Sequence, residues 1–454
     1  MKFKCGLEIH VELTEDIKTK IFCSCPNKGS DIPNTRTCPI CLGLPGAKPS
    51  FNNKILEAAL KVALALNCKI NEEIFFSRKT YFYPDLSNSY QITQYEKPLA
   101  IEGSFENIKI RRVHIEEDPG KLIHESNSVL IDYNRSGTPL AEIVTEPEFE
   151  SPNQVRLFLQ KLQTTLEYLK VYSRKSESSL RVDANISTTG ARVEIKNIGS
   201  IKDVEKALNA EIERQKTNPP KIQETRGWNQ ETQSSILLRT KESEDDYGYI
   251  FEPNLTKITI TKEETENIRK QLPELADKKS QRFIKQYSLK AEDAEVITSD
   301  LSLAELFEKV AVKVNHNLAA RWFVREIPKV LNYTGLTLKK WGITEKEITE
   351  LLGLLQRKKI TETTAQKVLE KLSEKLFSPK DYIEREKLLV VTSEKQLEEI
   401  AKEVIKENKK AIESYKNGEE KAFNFLVGQF MRKTKGTADP ETVRKLLEKL
   451  INSF

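Results

Sequence analysis

The sequence predicts an α+β protein in which a strand-rich first half gives way to helices near residue 262. Two observations carry this. Before that point Gly, Pro and runs of alternating apolar and polar residues dominate, the period-two signature of half-buried strands. After it come charged stretches with apolar residues at helical spacing, opened by Thr261-x-x-Glu264 and Thr344-x-x-Glu347 in the pattern of capping boxes. A length of 454 residues predicts several domains, and 38% hydrophobic with 31% charged residues excludes both a disordered chain and a membrane protein. No run approaches ~18 apolar residues, and the charges in MKFKCGLEIHVEL break the apolar core a signal peptide needs. A cytoplasmic location with no membrane partner is expected. With 73 Lys and Arg against 68 Asp and Glu, the net charge of +5 excludes a histone-like polycation but permits a local basic patch for nucleic acid.

The first strand predicted is Gly6 to Leu13. Leu7, Ile9, Val11 and Leu13 alternate with Glu8, His10 and Glu12, so the three polar groups share one face. Ordinary solvation explains such a face, yet Glu-x-His is a poor choice for it unless a cation sits above. Next come Cys23, Cys25, Cys38 and Cys41, read as C-x-C, twelve residues, C-P-x-C. Two close thiolate pairs joined by a loop suit a tetrahedral zinc site, structural because four thiolates leave no open position; a chance cluster of buried thiols is the alternative. Cys5 and Cys68 stand among apolar neighbours and read as core residues.

Two acidic strands follow. Val113 to Lys121 places Glu116, Glu117 and Asp118 in a row before a turn, with alternation putting Glu116 on the face of His114 and Glu117 on the other. In Asp132 to Ile143, Glu142 is a lone carboxylate among Leu140, Ile143 and Val144, costly to bury unless paired or metal-bound. Oxygen ligands with one imidazole suit Mg²⁺ or Mn²⁺. A hairpin then runs from Leu180 to Ile186 and returns from Arg192 to Asn197, with Arg181, Asp183 and Asn185 on one face and Arg192, Glu194 and Lys196 on the matching one. It is either a surface salt-bridge ladder or a floor of mixed charge that receives phosphates. Tyr81-Phe82-Tyr83-Pro84-Asp85, beside Arg78 and Lys79, is either a core strand or a source of a ring that stacks on a base.

The helical half carries stripes at Ile348, Leu351, Leu352 and Leu355, and at Ala365, Val368, Leu369, Leu372 and Leu376. A further helix is expected after Ser393, with Leu397, Ile400, Val404 and Ile405. Near the end, Asp439-Pro440 opens a helix, and Met431-Arg432-Lys433-Thr434-Lys435-Gly436 is expected as a turn leading into it. Three bases at a turn beside a helix N-terminus suit RNA phosphates, although a charge run is ordinarily a solvated helix face. The chain has no P-loop, no G-x-G-x-x-G and no nucleophile motif, so any use of ATP needs an uncommon nucleotide fold.

CGLEIHVEL, the TCPICLGLPGAKPSFN segment, RKTYFYPDLSNSYQITQY, HIEEDPGKLIHE, DYNRSGTPLAEIVTEPEF, LRVDANIS, VEIKNIGSIKDVEKAL, QETRGW and NFLVGQFMRKTKGTADPETVRKLL together resemble the B subunit of the tRNA-dependent amidotransferases, from end to end. The archaeal E subunit shares these motifs but carries a large insertion for which the run from Glu252-Pro253-Asn254-Leu255 into helices leaves no room. The resemblance implies a cradle-like kinase domain of mixed and antiparallel sheets with an inserted zinc site (1–262), an all-α helical domain (263–385) and a small α-helical tail domain contacting tRNA (386–454). It implies ATP-dependent phosphorylation of the side-chain carboxylate of Glu-tRNA(Gln) or Asp-tRNA(Asn), then amidation by ammonia. Implied partners are the glutaminase (A) subunit, the small (C) subunit, the mischarged tRNA and a non-discriminating aminoacyl-tRNA synthetase.

The resemblance places the divalent-metal and catalytic residues at Glu8, His10, Glu117 and Glu142, so the choice of Glu117 over Glu116 comes from the family and not from the alternation. Zinc falls to Cys23, Cys25, Cys38 and Cys41. Lys79, Arg181 and Lys196 are expected at ATP phosphates and the substrate carboxylate, Tyr81 at the nucleotide, and Arg432, Lys433 and Lys435 at tRNA. Two other classes stand beside this one: a tRNA-binding scaffold without catalysis, and a zinc-dependent nucleic-acid hydrolase, which a four-thiolate site disfavours.

Overall fold

The structure is a computed structural model describing residues 3–174, 179–240, 248–390, 394–416, 418–434 and 436–452. The chain divides into two compact units, Met1–Leu275 and Ala276–Phe454. Among the described residues the first is built on a nine-stranded mixed sheet. Its strands are β1 (Lys4–Glu12), β2 (Lys69–Ile70), β3 (Ala100–Phe105), β4 (Ile108–Glu117), β5 (Pro139–Thr145), β6 (Leu180–Ser187), β7 (Val193–Ile198), β8 (Glu224–Asn229) and β9 (Ser234–Thr240). Their spatial order is β9-β8-β7-β6-β1-β5-β4-β3-β2. Only the β7–β8 pair is parallel.

β1 lies in the interior of this sheet because its apolar positions need cover and its two edges find partners in β5 and β6. Alternation sends Cys5, Leu7, Ile9 and Val11 to one face, all buried. Helices α1 (Asn53–Ala65), α2 (Pro152–Tyr168) and α3 (Ile201–Thr217) contribute Ile55, Ala59, Leu159, Leu162, Val204 and Leu208 to the core that Ile9, Ile115, Ile143, Val182 and Ile195 share. Each helix starts where the sequence supplies an acceptor for an orphan amide: Asn52 to the Lys54 N–H, Ser151 to Gln154, Ser200 to Asp203. With helices on one face, the other face of the sheet is left for polar groups. Cys5 and Cys68 are buried as expected.

A smaller three-stranded sheet joins Gly248–Phe251, Ser77–Thr80 and Tyr90–Thr93. The aromatic run after Lys79 is therefore not a core strand. The strand stops at Thr80, and Phe82 and Tyr83 stand exposed at 88% and 51%.

The second unit is helical. The capping boxes at Thr261/Glu264, closing the first unit, and at Thr344/Glu347 both form, with each Glu carboxylate accepting from its Thr backbone N–H. Ile348, Leu351 and Leu352 are buried, as are Ala365, Val368, Leu369 and Leu372; Leu376 lies beyond the end of Glu362–Glu374 and is exposed. Leu397, Val404 and Ile405 of Glu394–Glu407 pack with Phe423, Leu426, Phe430, Val443 and Leu447 in a cluster of their own. The expected cap Ser393 lies outside the described residues. The turn expected from Met431 is corrected: Met431, Arg432 and Lys433 form the last turn of helix Glu420–Lys433, where cations meet the negative end of the helix dipole. Asp439 does begin the last helix, Pro440–Asn452, with its carboxylate accepting from the Thr442 N–H. Among the described residues no helix is long and apolar enough to cross a membrane.

Candidate active site

The register of four strands aligns the polar face into rows. His10 on β1 faces Glu142 on β5, which faces His114 on β4, while on the other side His10 faces Arg181 on β6. Two residues back along β1, Glu8 faces Asp183. A period of two therefore gathers imidazole, carboxylate and guanidinium side chains over adjoining strands without any loop to hold them. They line one cavity of about 620 Å³, with Lys79, Tyr81, Glu116, Asp118 and Lys196 also in its wall.

His10 Nε2 lies 3.4 Å from Glu116 Oε1 and 3.4 Å from Glu142 Oε2; His114 Nε2 lies 3.1 Å from Glu142 Oε2 and 3.6 Å from Glu116 Oε2. Burial pulls both imidazoles toward the neutral form, but the two carboxylates outweigh it and raise both above the ordinary histidine value. Burial likewise pushes Glu116 and Glu142 up, and the hydrogen bonds and charges of the histidines bring both below the usual carboxylate range. One donor atom from each of His10, Glu116 and Glu142 lies within 4.8 Å of the others, and a set of one imidazole and two carboxylates fits Mg²⁺ or Mn²⁺.

The expected ligand Glu117 does not join them. It points from the opposite face of β4, where Glu117 Oε1 accepts from the Ile92 N–H at 2.9 Å, and burial pushes it up to about 8. Glu116 stands in its place because successive side chains on a strand alternate faces. Glu8 is adjacent to the trio but belongs to a second acidic group with Asp183 and Glu194, and it accepts from Asn185 Nδ2 at 3.1 Å. Burial, then the charge of Glu142, raises it above the ordinary glutamate value.

The hairpin is both a ladder and a cavity floor. Lys196 Nζ lies 2.9 Å from Asp183 and 2.8 Å from Glu194, and Arg181 Nη2 lies 2.9 Å from Asp118 Oδ1. Lys79 Nζ sits 5.7 Å from the Tyr81 ring centre, both in the cavity wall. His114, Glu116 and Asp118 are the site groups absent from the expected set. Their signal is present in the sequence: His114 and Glu116 alternate on β4 toward the face of Glu142, and Asp118 continues that spacing one residue past the strand's end.

The four cysteines converge as the spacing predicts. Their sulfurs lie within 4.8 Å of one another, with Cys41 Sγ 4.0 Å from Cys25 Sγ and 3.9 Å from Cys38 Sγ. A tetrahedral centre with Zn–S bonds of ~2.3 Å has edges of about 3.8 Å, so the cluster fits a metal of that size. In the last helices, Arg432 is exposed, whereas Lys433 Nζ is held by Glu403 at 2.9 Å and Glu407 at 2.7 Å. Lys435 lies outside the described residues.

A mixed sheet with helices on one face and this charged cavity on the other belongs to a recognisable class. Residues 3–266 match the domain family described as the GatB/GatE catalytic domain, and residues 305–451 match the one described as the GatB domain. The chain is 44% identical over 471 residues to the B subunit of the aspartyl/glutamyl-tRNA(Asn/Gln) amidotransferase of Caldanaerobacter subterraneus subsp. tengcongensis, covering 98% of this chain and 99% of that one. It is 41% identical over 474 residues to the protein of the same name from Thermotoga maritima, covering 98% of each. The chain belongs to the family of amidotransferase B subunits.

Proposed function

We propose that this chain is the carboxylate-activating subunit of a tRNA-dependent amidotransferase, a carbon–nitrogen ligase whose substrates are Glu-tRNA(Gln), Asp-tRNA(Asn) or both. A side-chain carboxylate is a poor acyl donor. One of its oxygens attacks the γ-phosphorus of ATP, the bond to the β-phosphate oxygen breaks, and ADP leaves an acyl phosphate on the aminoacyl-tRNA. Ammonia then attacks the acyl carbon, phosphate departs, and the nitrogen sheds a proton to give the amide. Such transfers need positioning and charge neutralisation more than a covalent protein nucleophile.

The observation that carries this reading is the single cavity in which His10, Glu116 and Glu142 sit beside Arg181 and Lys196. His10, Glu116 and Glu142 would hold Mg²⁺ or Mn²⁺, with Glu8 at their flank, and the cation would neutralise charge on the transferring phosphoryl group. Arg181, aimed by Asp118, and Lys196, aimed by Asp183 and Glu194, supply fixed positive charge on the same floor. Lys79 and Tyr81 in the cavity wall suit the nucleotide. The cysteine cluster is taken as a structural zinc site.

In this reading the cradle-like kinase domain, expected at 1–262, takes in the helix Lys262–Gln271 that packs on its core and runs to Leu275, the helical domain expected at 263–385 follows it, and 386–454 is a tail whose Arg432, Lys433 and Lys435 meet tRNA. The tail's separate apolar core supports the last division. Ammonia comes from the glutaminase (A) subunit, with the small (C) subunit completing the complex, and a non-discriminating synthetase supplies the mischarged tRNA.

The test combines the chain with its partner subunits, glutamine, ATP, Mg²⁺ and each mischarged tRNA. The expected result is ADP release coupled to Gln-tRNA or Asn-tRNA. Binding of tRNA without any tRNA-stimulated ADP release would make the chain a scaffold and overturn the proposal.

A further inference from the structure

We infer that Lys20 is the built-in counter-ion of the four-thiolate centre, a positioning residue that holds charge beside the metal without ligating it. This rests on the zinc reading of Cys23, Cys25, Cys38 and Cys41.

Lys20 is 0% exposed, which is rare for a lysine and expensive unless something offsets the charge. Among the described residues its ammonium makes one hydrogen bond, to the Tyr133 carbonyl at 3.1 Å, and no carboxylate lies within ion-pair distance. A single neutral carbonyl leaves two of its three donors unmet and its charge unbalanced. The thiol cluster is the place where that balance lies. Four thiolates around one Zn²⁺ carry a net charge of −2, here partly buried and favoured by a positive charge close by.

Placement supports the pairing. The Lys20 backbone N–H donates to the Cys25 carbonyl at 2.9 Å, closing the hairpin that carries Cys23 and Cys25. The side chain then runs along Gly137. A Cβ added at that glycine would lie 3.5 Å from Lys20 Cδ and 4.0 Å from Cys41 Cβ, so the lysine stem and Cys41 both border the same bare backbone. Gly137 has φ +79°, a left-handed value that favours glycine, and a Cβ there would sit in ordinary van der Waals contact with both neighbours. The Cys41 carbonyl is fixed in the same place by the Ser136 hydroxyl at 3.2 Å.

The full chain tests this, stripped of metal, reduced and reloaded with zinc, in wild-type, Lys20→Met and Lys20→Gln forms. Competition against a chromogenic chelator should show zinc affinity falling about 10- to 100-fold in both variants, the range typical of lost outer-shell partners. Cobalt substitution supplies a readout that a merely structural role would not move. Removing a positive charge beside the thiolates raises their donor level, so the thiolate-to-cobalt charge-transfer band should shift to longer wavelength. The metal-free variants should melt no lower than metal-free wild type, since an uncompensated buried charge has gone.

Lys20→Gln keeps a donor for the Tyr133 carbonyl and stands in if Lys20→Met does not fold. Unchanged zinc affinity with an unshifted band would overturn the counter-ion role. Lower melting of the metal-free variants with an unshifted band would also overturn it, making Lys20 a strut. Failure of the wild type itself to bind zinc would remove the zinc reading first, and is distinguished because it needs no variant.

Discussion

His114 Nε2 lies 3.1 Å from Glu142 Oε2, across a register in which Glu142 also faces His10 on its other side. One carboxylate is thus shared by two imidazoles from the two neighbouring strands, and Glu116 reaches both imidazoles as well. Deleting the shared group should do more harm than deleting one imidazole. Glu142→Ala should lower tRNA-stimulated ADP release at least ~100-fold, the scale of a lost electrostatic stabiliser, and His114→Ala should cost less than His10→Ala, because His114 is outside the proposed ligand trio. Steady-state rates for the three variants in the reconstituted complex check this; wild-type rates in Glu142→Ala would remove the site assignment.

The alternation of β4 separates Glu116 from Glu117 functionally. Glu116→Gln should weaken Mn²⁺ binding more than about tenfold, as expected for a lost carboxylate ligand, whereas Glu117→Gln should leave it near wild type. Electron paramagnetic resonance titration of free Mn²⁺ measures both. The reverse result would restore Glu117 as the ligand.

Glu117 instead has a stability signature. Burial raises its folded value to about 8 against an ordinary 4.5. Between those values the folded chain keeps a proton that the unfolded chain has lost, so this group makes stability fall as pH rises from 4.5 toward 8, with no further change above. Glu117→Gln keeps an acceptor for the Ile92 N–H and has no such cost. Its melting temperature should match wild type at the acid end of that window, exceed it by a margin that grows to several degrees at the alkaline end, and stay level beyond. A constant offset across thermal melts spanning the window would contradict the shift.

The zinc reading makes a separate claim on stability. Replacing both Cys38 and Cys41 by Ser should release one metal ion per chain and lower the melting temperature, because binding is coupled to local folding. Mass-spectrometric metal analysis of wild type prepared without chelator should find one zinc per chain. Finding none would sink this reading.

Much of the site is legible in the sequence because a strand's period is two and needs no tertiary knowledge. Glu8, His10 and Glu12 on one face, Glu142 alone among apolar residues, and Glu116 on the side of His114 all follow from alternation. Strand order does not. β1 pairs with β5 and β6, residues 139–145 and 180–187, and nothing local in Lys4–Glu12 names those partners. Hence His114, Glu142, His10 and Arg181 are invisible as a row, and Asp118 gives no local sign that it aims Arg181. The resemblance implies Glu117, whereas the neighbouring Glu116 lies with His10 and Glu142 in the cavity, and on a strand one residue is a change of face. The Arg432 segment departs from expectation for the opposite reason. Met431 follows Phe423 and Val427 at helical spacing, and the helix that buries Phe423, Val427 and Phe430 runs on through Arg432 and Lys433 at its basic end.

That helical end decides how the tail should meet RNA. Lys433 is already held by Glu403 and Glu407, so a phosphate must compete with two carboxylates for it, while Arg432 on the preceding position is exposed. Arg432→Ala in the full chain should therefore weaken tRNA binding more than Lys433→Ala. Each phosphate interaction removed should reduce the slope of log affinity against log salt by at most about one unit. Lys433→Ala should change that slope by less, because its ammonium is already paired with Glu403 and Glu407 and has less charge free to neutralise a phosphate. Filter-binding or anisotropy curves at several salt concentrations, in the presence of ATP and Mg²⁺ so that the first domain is equally occupied, separate these effects. If the curves of both variants superimpose on wild type at every salt concentration, this face of the tail does not touch tRNA.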